Sequence, residues 1–409
     1  MTASFAELGV PAAIVESLTE RGITEPFPIQ AATIADALAG RDLCGKAPTG
    51  SGKTIAFGIP MVVKVTRAEP KRPTGLVLVP TRELADQVND ELRLLARPIG
   101  RRIMAVFGGV SIAAQVKRLD KGVDIVVATP GRLLDLVSQH AVRLDHVEMV
   151  TLDEADRMAD MGFMPDVRKL LDLTADERQT LLFSATLDRD VDEVIERYQT
   201  DPVRHDVTTD ATEEGGVEVT HLFWDTPHRD RVRIAASVIE RMGPTIVFSR
   251  TRHGADRITR QLGDWRVRAA ALHGDKTQSA RNRALADFAE GKVQALVATD
   301  VAARGIHVDD VAAVVHFDPP ADHKDYRHRS GRTGRAGAGG LVISLVTPQV
   351  MTHVRNLRRD LDLEGELLPP GTYPASAVPA SARAVERLVP GDLGAVECRL
   401  TAAPPRSRR

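Results

Sequence analysis

The sequence predicts two α/β domains in tandem, each a mainly parallel sheet covered by helices, followed by a proline-rich tail with no packed fold. Three observations predict this. Short apolar runs alternate with helical stretches from Asp42 to Ser184, and after a polar interval the alternation restarts and runs from Val219 to Val346. A glycine loop follows the first strand and opens a helix, which is the frame of a P-loop. From Glu364 onward, seven prolines in 46 residues and a single aromatic, Tyr373, predict a disordered extension.

Composition narrows the class. A chain of 409 residues is long enough for two or three domains. With 54 Lys+Arg against 56 Asp+Glu, the net charge of -2 exerts no global pull on nucleic acid, so any such binding must use a local basic cleft. Two distant cysteines, Cys44 and Cys398, exclude a disulfide framework and a four-cysteine zinc site, and suit a reducing cytosol. Charges interrupt every apolar run before the ~18 residues a membrane span needs, and no sorting signal opens the chain. The expectation is a soluble, cytoplasmic protein.

In chain order, Met1 to Ala39 reads as two amphipathic helices around a turn at Gly22 to Pro28, with Gln30 early in the second. Strands are expected at Asp42 to Ala47, Leu76 to Val79, Ile103 to Phe107, Ile125 to Ala128, Met149 to Asp153 and Thr180 to Ser184. Helices run from the glycine loop through Val65, from Arg82 to Leu95 and from Ser111 to Leu119. Residues 1–207 form the first domain, and the Thr-rich, acidic stretch 208–216 reads as a linker. The second domain, 217–363, has strands at Val219 to Trp224, Thr245 to Phe248, Ala269 to Leu272, Ala295 to Ala298, Val314 to Phe317 and Leu341 to Val346, with a helix at Gln278 to Glu290. It carries no Gly-Lys-Thr loop. Residues 364–409 are the extension.

The chemistry starts at Ala47-Pro48-Thr49-Gly50-Ser51-Gly52-Lys53-Thr54. Small residues let successive N–H groups face phosphate oxygens, and the following helix adds its positive end. Lys53 would reach the β- and γ-phosphates, and the Thr54 hydroxyl would hold Mg²⁺. Ala47 stands where the strict pattern has Gly, which requires a negative φ there. Asp153-Glu154-Ala155-Asp156 ends a buried strand, where open α/β sheets bind ligands. Asp153 suits the metal's shell; Glu154 suits the attacking water. Farther on, Arg329, Arg332 and Arg335 are spaced between glycines in Tyr326 to Arg335. A guanidinium fork matches phosphate oxygens and can stabilise phosphoryl transfer, the role expected of Arg332 and Arg335.

Together these motifs make the chain resemble a DEAD-box ATP-dependent RNA helicase from about Phe5 to about Asp362. The resemblance implies two RecA-like domains, with ATP and single-stranded RNA bridging them. Gly22 to Gln30 resembles the Q motif, so Gln30 would read the adenine edge, with Phe5 as the upstream aromatic. Ser184-Ala185-Thr186 resembles the segment that couples hydrolysis to strand separation. Asp156, His328 and Arg329 join it, with Asp156 expected to reach the arginine and histidine segment of the other domain. RNA-backbone contacts are implied for Pro80, Thr81, Arg82, Gly109, Thr129, Pro130, Gly131 and Arg132 in the first domain. In the second they fall on Arg250, Thr251, Gly274, Gln278, Arg281 and Thr299, and Gly305 would join the nucleotide site.

Three departures stand out. Ile23 occupies the usual place of an aromatic and Phe27 that of Thr, so the adenine pocket is expected to lean on Phe5. His307 stands where the family has an acid linked to domain closure, and imidazole replaces a fixed negative charge. The expectation is a weakened closed state. ATP and Mg²⁺ are the implied cofactors, RNA the partner, ribonucleoprotein or ribosomal complexes the setting and a monomer the state. Rival readings are an ATP-gated RNA clamp, a DNA translocase and, more distantly, a P-loop kinase.

Overall fold

Short Val-, Ile- and Leu-rich runs form the predicted strands of a computed structural model that describes residues 3–48, 50–187, 189–207, 219–303, 308, 311–334, 339–363 and 366–373. The chain divides into two units, Met1–Glu214 and Gly215–Arg409. In the first, β1 (Leu43–Lys46), β2 (Gly75–Leu78), β3 (Ile103–Val106), β4 (Ile125–Ala128), β5 (Met149–Asp153), β6 (Gln179–Ser184) and β7 (Val203–Asp206) form one sheet. Its order is β3-β4-β2-β5-β6-β1-β7, and every pairing is parallel. The helices are α1 (Ala12–Glu20), α2 (Pro28–Leu38), α3 (Lys53–Lys64), α4 (Arg82–Ala96), α5 (Ile112–Leu119), α6 (Pro130–Ser138), α7 (Ala155–Asp160), α8 (Met164–Leu171) and α9 (Arg189–Tyr198).

Both sheet faces are covered, which is why the strands read as continuous apolar runs. Val77 of β2 packs with Ile59 and Val88 on one face, while its neighbours Leu76 and Leu78 pack with Val126 and Met158 on the other. Register brings Lys46 of β1 level with Ser184 of β6, and Asp153 of β5 level with Phe183. The C-terminal ends of β5, β6 and β1 are thus neighbours, and so are those of β3, β4 and β2. Cys44 of β1 is buried, and burial pushes its thiol up to about 11.

β7 is the strand the sequence reading did not anticipate. Its Val-Arg-His-Asp run alternates half-buried and exposed at the sheet edge, so it presents no apolar stretch. The pairing is supported by Lys46 against Asp206 at 2.8 Å and His205 against Asp36 at 2.9 Å.

The second unit holds β8 (Val219–Asp225), β9 (Thr245–Phe248), β10 (Ala269–Leu272), β11 (Ala295–Ala298), β12 (Ala313–His316) and β13 (Gly340–Val346), in the order β10-β11-β9-β12-β13-β8. It is parallel throughout. Around it lie α10 (Arg231–Met242), α11 (Arg252–Asp264), α12 (Gln278–Ala289), α13 (Asp300–Ala303), α14 (His323–Ser330) and α15 (Met351–Asp360). Residues 366–373, assigned to the extension from sequence, lie against this unit. Leu368 forms a parallel bridge with Trp224, and the Trp224 indole N–H donates to the Thr372 carbonyl at 3.2 Å. The Tyr373 ring meets Trp224 edge-on at 5.2 Å. The linker 208–216 and the extension beyond residue 373 lie outside the described residues. Among the described residues no helix is long and apolar enough to cross a membrane.

A polar pair sits inside this second core. His316 is fully buried, shares a hydrogen bond of 3.1 Å with the Ser344 hydroxyl and lies edge-on to Tyr326. Burial, with Arg329 and His221 adding to it, holds the His316 imidazole well below its usual 6.5. The group therefore stays neutral in the fold while the unfolded chain takes up a proton near pH 6.5. Stability is full above that pH and falls as pH drops below it. Urea midpoints measured at several pH values should show this slope, and His316→Gln should flatten it.

Candidate nucleotide and nucleic-acid sites

The phosphate loop runs from the end of β1 into α3. Gly50 and Gly52 hold φ of 84° and 86°, the left-handed region that suits glycine. Gly52 also has no room for a side chain: an added Cβ would collide with the Gln30 amide and stand 2.8 Å from the Phe27 ring. Lys53 is buried, and its ammonium donates to the Ala47 carbonyl at 2.8 Å and the Pro48 carbonyl at 3.3 Å. The Ser51 hydroxyl donates to Pro48 at 2.8 Å. Thr54 lies half-buried in the first turn of α3, one position beyond Lys53. Thr49 lies outside the described residues.

Gln30 ties the turn before α2 to this loop. Its carbonyl accepts the Phe27 backbone N–H at 2.9 Å, and its amide donates to the Gly52 carbonyl at 3.0 Å. It is fully buried, so in this structure it acts as an anchor of the loop. Phe5 departs from expectation. With 2% of its surface exposed it packs among Leu8, Ile29 and Ile34 in the core, and so offers no ring face to a base. The exposed aromatic beside the loop is Phe27, at 57%.

The acids sit where the sequence predicts. Asp153 ends β5 at 3% exposure and Glu154 follows at 5%. Glu154 has φ 55° and ψ 50°, an uncommon left-handed conformation for a side-chain-bearing residue. Its carboxylate accepts from Arg157 at 2.9 Å, a buried pair with each side chain 6% exposed. Arg157 was missed from sequence, although a cation three residues after an acid on a helix start is a readable signal. Asp156 is engaged inside its own domain. One carboxylate oxygen accepts both the Thr186 N–H and its hydroxyl at 3.1 Å, and its backbone N–H donates to the Ser184 hydroxyl at 3.1 Å. Among the described contacts, Ser184 and Thr186 are its partners within its own unit.

The remaining loops of the first unit cluster at the ends of β2, β3 and β4. Pro80 is buried, and the Thr81 hydroxyl caps α4 by accepting the Leu84 N–H at 3.3 Å. The Arg82 guanidinium lies against Gly108 and Gly109, and a Cβ at Gly109, where φ is 86°, would strike it. Thr129 and Pro130 start α6, and Gly131 is open to solvent. Arg132 donates to the Val110 carbonyl at 3.2 Å.

The second unit repeats the layout at the ends of β9, β10 and β11. Asp318 organises it: its carboxylate accepts the Arg250 N–H at 2.9 Å and the Ser249 hydroxyl at 3.4 Å, leaving the Arg250 side chain exposed. No local sequence signal marks Asp318, which lies 68 positions away. Thr251 caps α11 through the Gly254 N–H at 3.0 Å, and Gly274 follows β10. Gln278 opens α12 and donates to Asn282 at 3.0 Å; Arg281, one turn on, is buried at 5%. Thr299 follows β11, buried, with its N–H on the Leu272 carbonyl at 3.2 Å.

Among the described residues of the arginine-rich segment, Arg329 and Arg332 are buried and Arg327 is exposed. Arg329 is bidentate to Asp300 at 2.5 and 2.8 Å, donates to the Asp318 carbonyl at 2.7 Å and stacks over Phe248 at 4.9 Å. In this structure it serves as an internal pin of the second unit. Arg332 is 2% exposed in the turn after α14, and His328 is half-buried on that helix. Arg335, Gly305 and His307 lie outside the described residues.

A phosphate loop, two acids and a serine–threonine pair meet at the ends of three adjacent strands, on a fold with a second parallel sheet. That assembly defines a P-loop nucleotide-binding protein of two α/β units. The DEAD/DEAH box helicase family matches residues 27–194, and the helicase conserved C-terminal domain matches residues 230–337. The ATP-dependent RNA helicase CshA of Listeria monocytogenes is 41% identical over 86% of this chain, which spans 67% of that protein. DEAD-box ATP-dependent RNA helicase 30 of Arabidopsis thaliana is 40% identical over 90% of the chain, which spans 63% of it. A variant of Saccharomyces cerevisiae Dbp5 bound to RNA and ADP BeF3 superimposes with a TM-score of 0.78 at 25% identity, covering 94% of this chain and 98% of that one. This chain belongs to the DEAD-box family of ATP-dependent RNA helicases.

Proposed function

We propose that the chain hydrolyses ATP at the Gly50–Thr54 loop and uses the cycle to separate short RNA duplexes locally or to remodel ribonucleoprotein. The observation that carries this reading is the linked assembly at the ends of β1, β5 and β6, with Asp156 bonded to Ser184 and Thr186 beside Glu154. Lys53 would meet the phosphates. Arg332 and Arg335 are the cations proposed for phosphoryl transfer from the second domain.

The donor set fits Mg²⁺. Among the described residues no group of three His, Cys, Asp or Glu side chains could hold a metal alone, whereas one hydroxyl, Thr54, and one carboxylate, Asp153, suit an ion that keeps waters and phosphate oxygens. When bound, it would neutralise developing phosphate charge. Glu154, pinned by Arg157, orients water and takes its proton.

On the RNA side, small residues, threonines and backbone N–H groups at the strand ends suit phosphate and ribose, which position a strand without reading sequence. Taking ~1.4 kcal/mol per stacked step, loss of about four or five pairs removes ~6 to 7 kcal/mol, enough to release a short helix. We place the activity in the cytoplasm, in a monomer acting on RNA or ribosomal particles. Phosphate release measured with an RNA and with DNA of the same sequence tests the reading. Stimulation by RNA alone is expected; equal stimulation would favour a DNA translocase.

A further inference from the structure

We propose that the Phe27 ring is the platform on which the nucleotide base lies, a role that belongs to this chain's own departure from its family pattern. Single exposed apolar residues are ordinary on protein surfaces, so the 57% exposure of Phe27 is not by itself an argument. Its attachment is. The backbone N–H of Phe27 is held by the Gln30 carbonyl at 2.9 Å, and the same Gln30 amide grips the Gly52 carbonyl at 3.0 Å. The ring edge reaches Gly52 itself, where an added Cβ would stand 2.8 Å from Cδ2. An exposed aromatic is therefore fixed to the last residue of the phosphate loop through one buried side chain.

The alternatives near the loop are closed. Ile23 is aliphatic and packs on the core, and Phe5 is 2% exposed inside it. Among the described residues, the other exposed large apolar side chains are Leu94, Val110 and Leu173, none of them aromatic. Stacking needs only a π-face and is tolerant of which base supplies it. Phe27 would then hold adenine and guanine about equally, and any preference between them would fall to edge contacts.

The inference rests on reading Gly50–Thr54 as a nucleotide site, and a base-free probe separates the two claims. Binding of ADP, GDP and tripolyphosphate to the full chain with Mg²⁺ would be measured by calorimetry, for wild type, Phe27→Ala and Phe27→Trp. The expected result is about tenfold weaker ADP and GDP for Phe27→Ala, unchanged tripolyphosphate, and recovery in Phe27→Trp with quenching of the new indole by ADP. Equal weakening of tripolyphosphate would make Phe27 a support for the loop and overturn the platform. Unchanged ADP affinity would overturn it as well. If wild type bound neither ADP nor tripolyphosphate, the nucleotide reading would fall first.

Discussion

Glu154→Gln is expected to cut RNA-stimulated phosphate release by about 10²- to 10⁴-fold while leaving nucleotide binding within a few-fold of wild type. The amide keeps the shape of the side chain and loses the capacity to accept a proton. The geometry argues for an effect at the large end. Glu154 is held in a left-handed conformation at the end of β5, and its carboxylate is fixed by Arg157 at 2.9 Å in a buried pair. A strained backbone and a buried counter-charge are costs that a merely structural acidic turn has no reason to carry. Single-turnover phosphate release, with ADP binding as the control, measures both halves. Turnover within threefold of wild type would remove Glu154 from the chemistry and transfer suspicion to another base.

Arg329→Met should destabilise the second domain by ~3 to 5 kcal/mol. The guanidinium satisfies both oxygens of Asp300 and the Asp318 carbonyl, so its removal strands a carboxylate that is 24% exposed beside a buried apolar ring. At ~2 to 4 °C per kcal/mol, that is a fall of ~6 to 20 °C in the melting of this domain. Calorimetry of Arg329→Met, Asp300→Asn and the double variant would show most of the loss shared between the two singles. A loss below ~1 kcal/mol would mean that the pair is replaceable by water. Because Asp300 follows Thr299 and Asp318 supports Arg250, the same change should loosen the loops after β9 and β11 before the sheet melts.

The strands, the phosphate loop and the acids were legible because each is written locally. A Val- and Ile-rich run, a Gly-Lys-Thr after it or an Asp-Glu at its end carries its own geometry. β7 was not, because an edge strand of Val, Arg, His and Asp pairs through its backbone and leaves no apolar trace. Exposure was the other blind spot. Phe5 and Phe27 are the same residue type, and only tertiary packing assigns one to the core and the other to the surface. Partners distant in sequence were equally hidden. Asp156 finds Thr186 thirty positions on, Arg329 finds Asp300 twenty-nine back, and Asp318 finds Arg250 sixty-eight back. For Arg329 the resemblance implied a coupling role, and no local signal announced that its planar fork would close on Asp300.

The buried thiol of Cys44 has a practical consequence. It sits on the strand that leads into the phosphate loop and holds its proton up to about 11, so an alkylating reagent can take it only when β1 comes away from its neighbours. The rate of that modification counts openings of the sheet, and a ligand that binds only the closed form must slow the count. The first domain thus carries an intrinsic clock of its own local unfolding, placed next to the loop whose occupancy it would register.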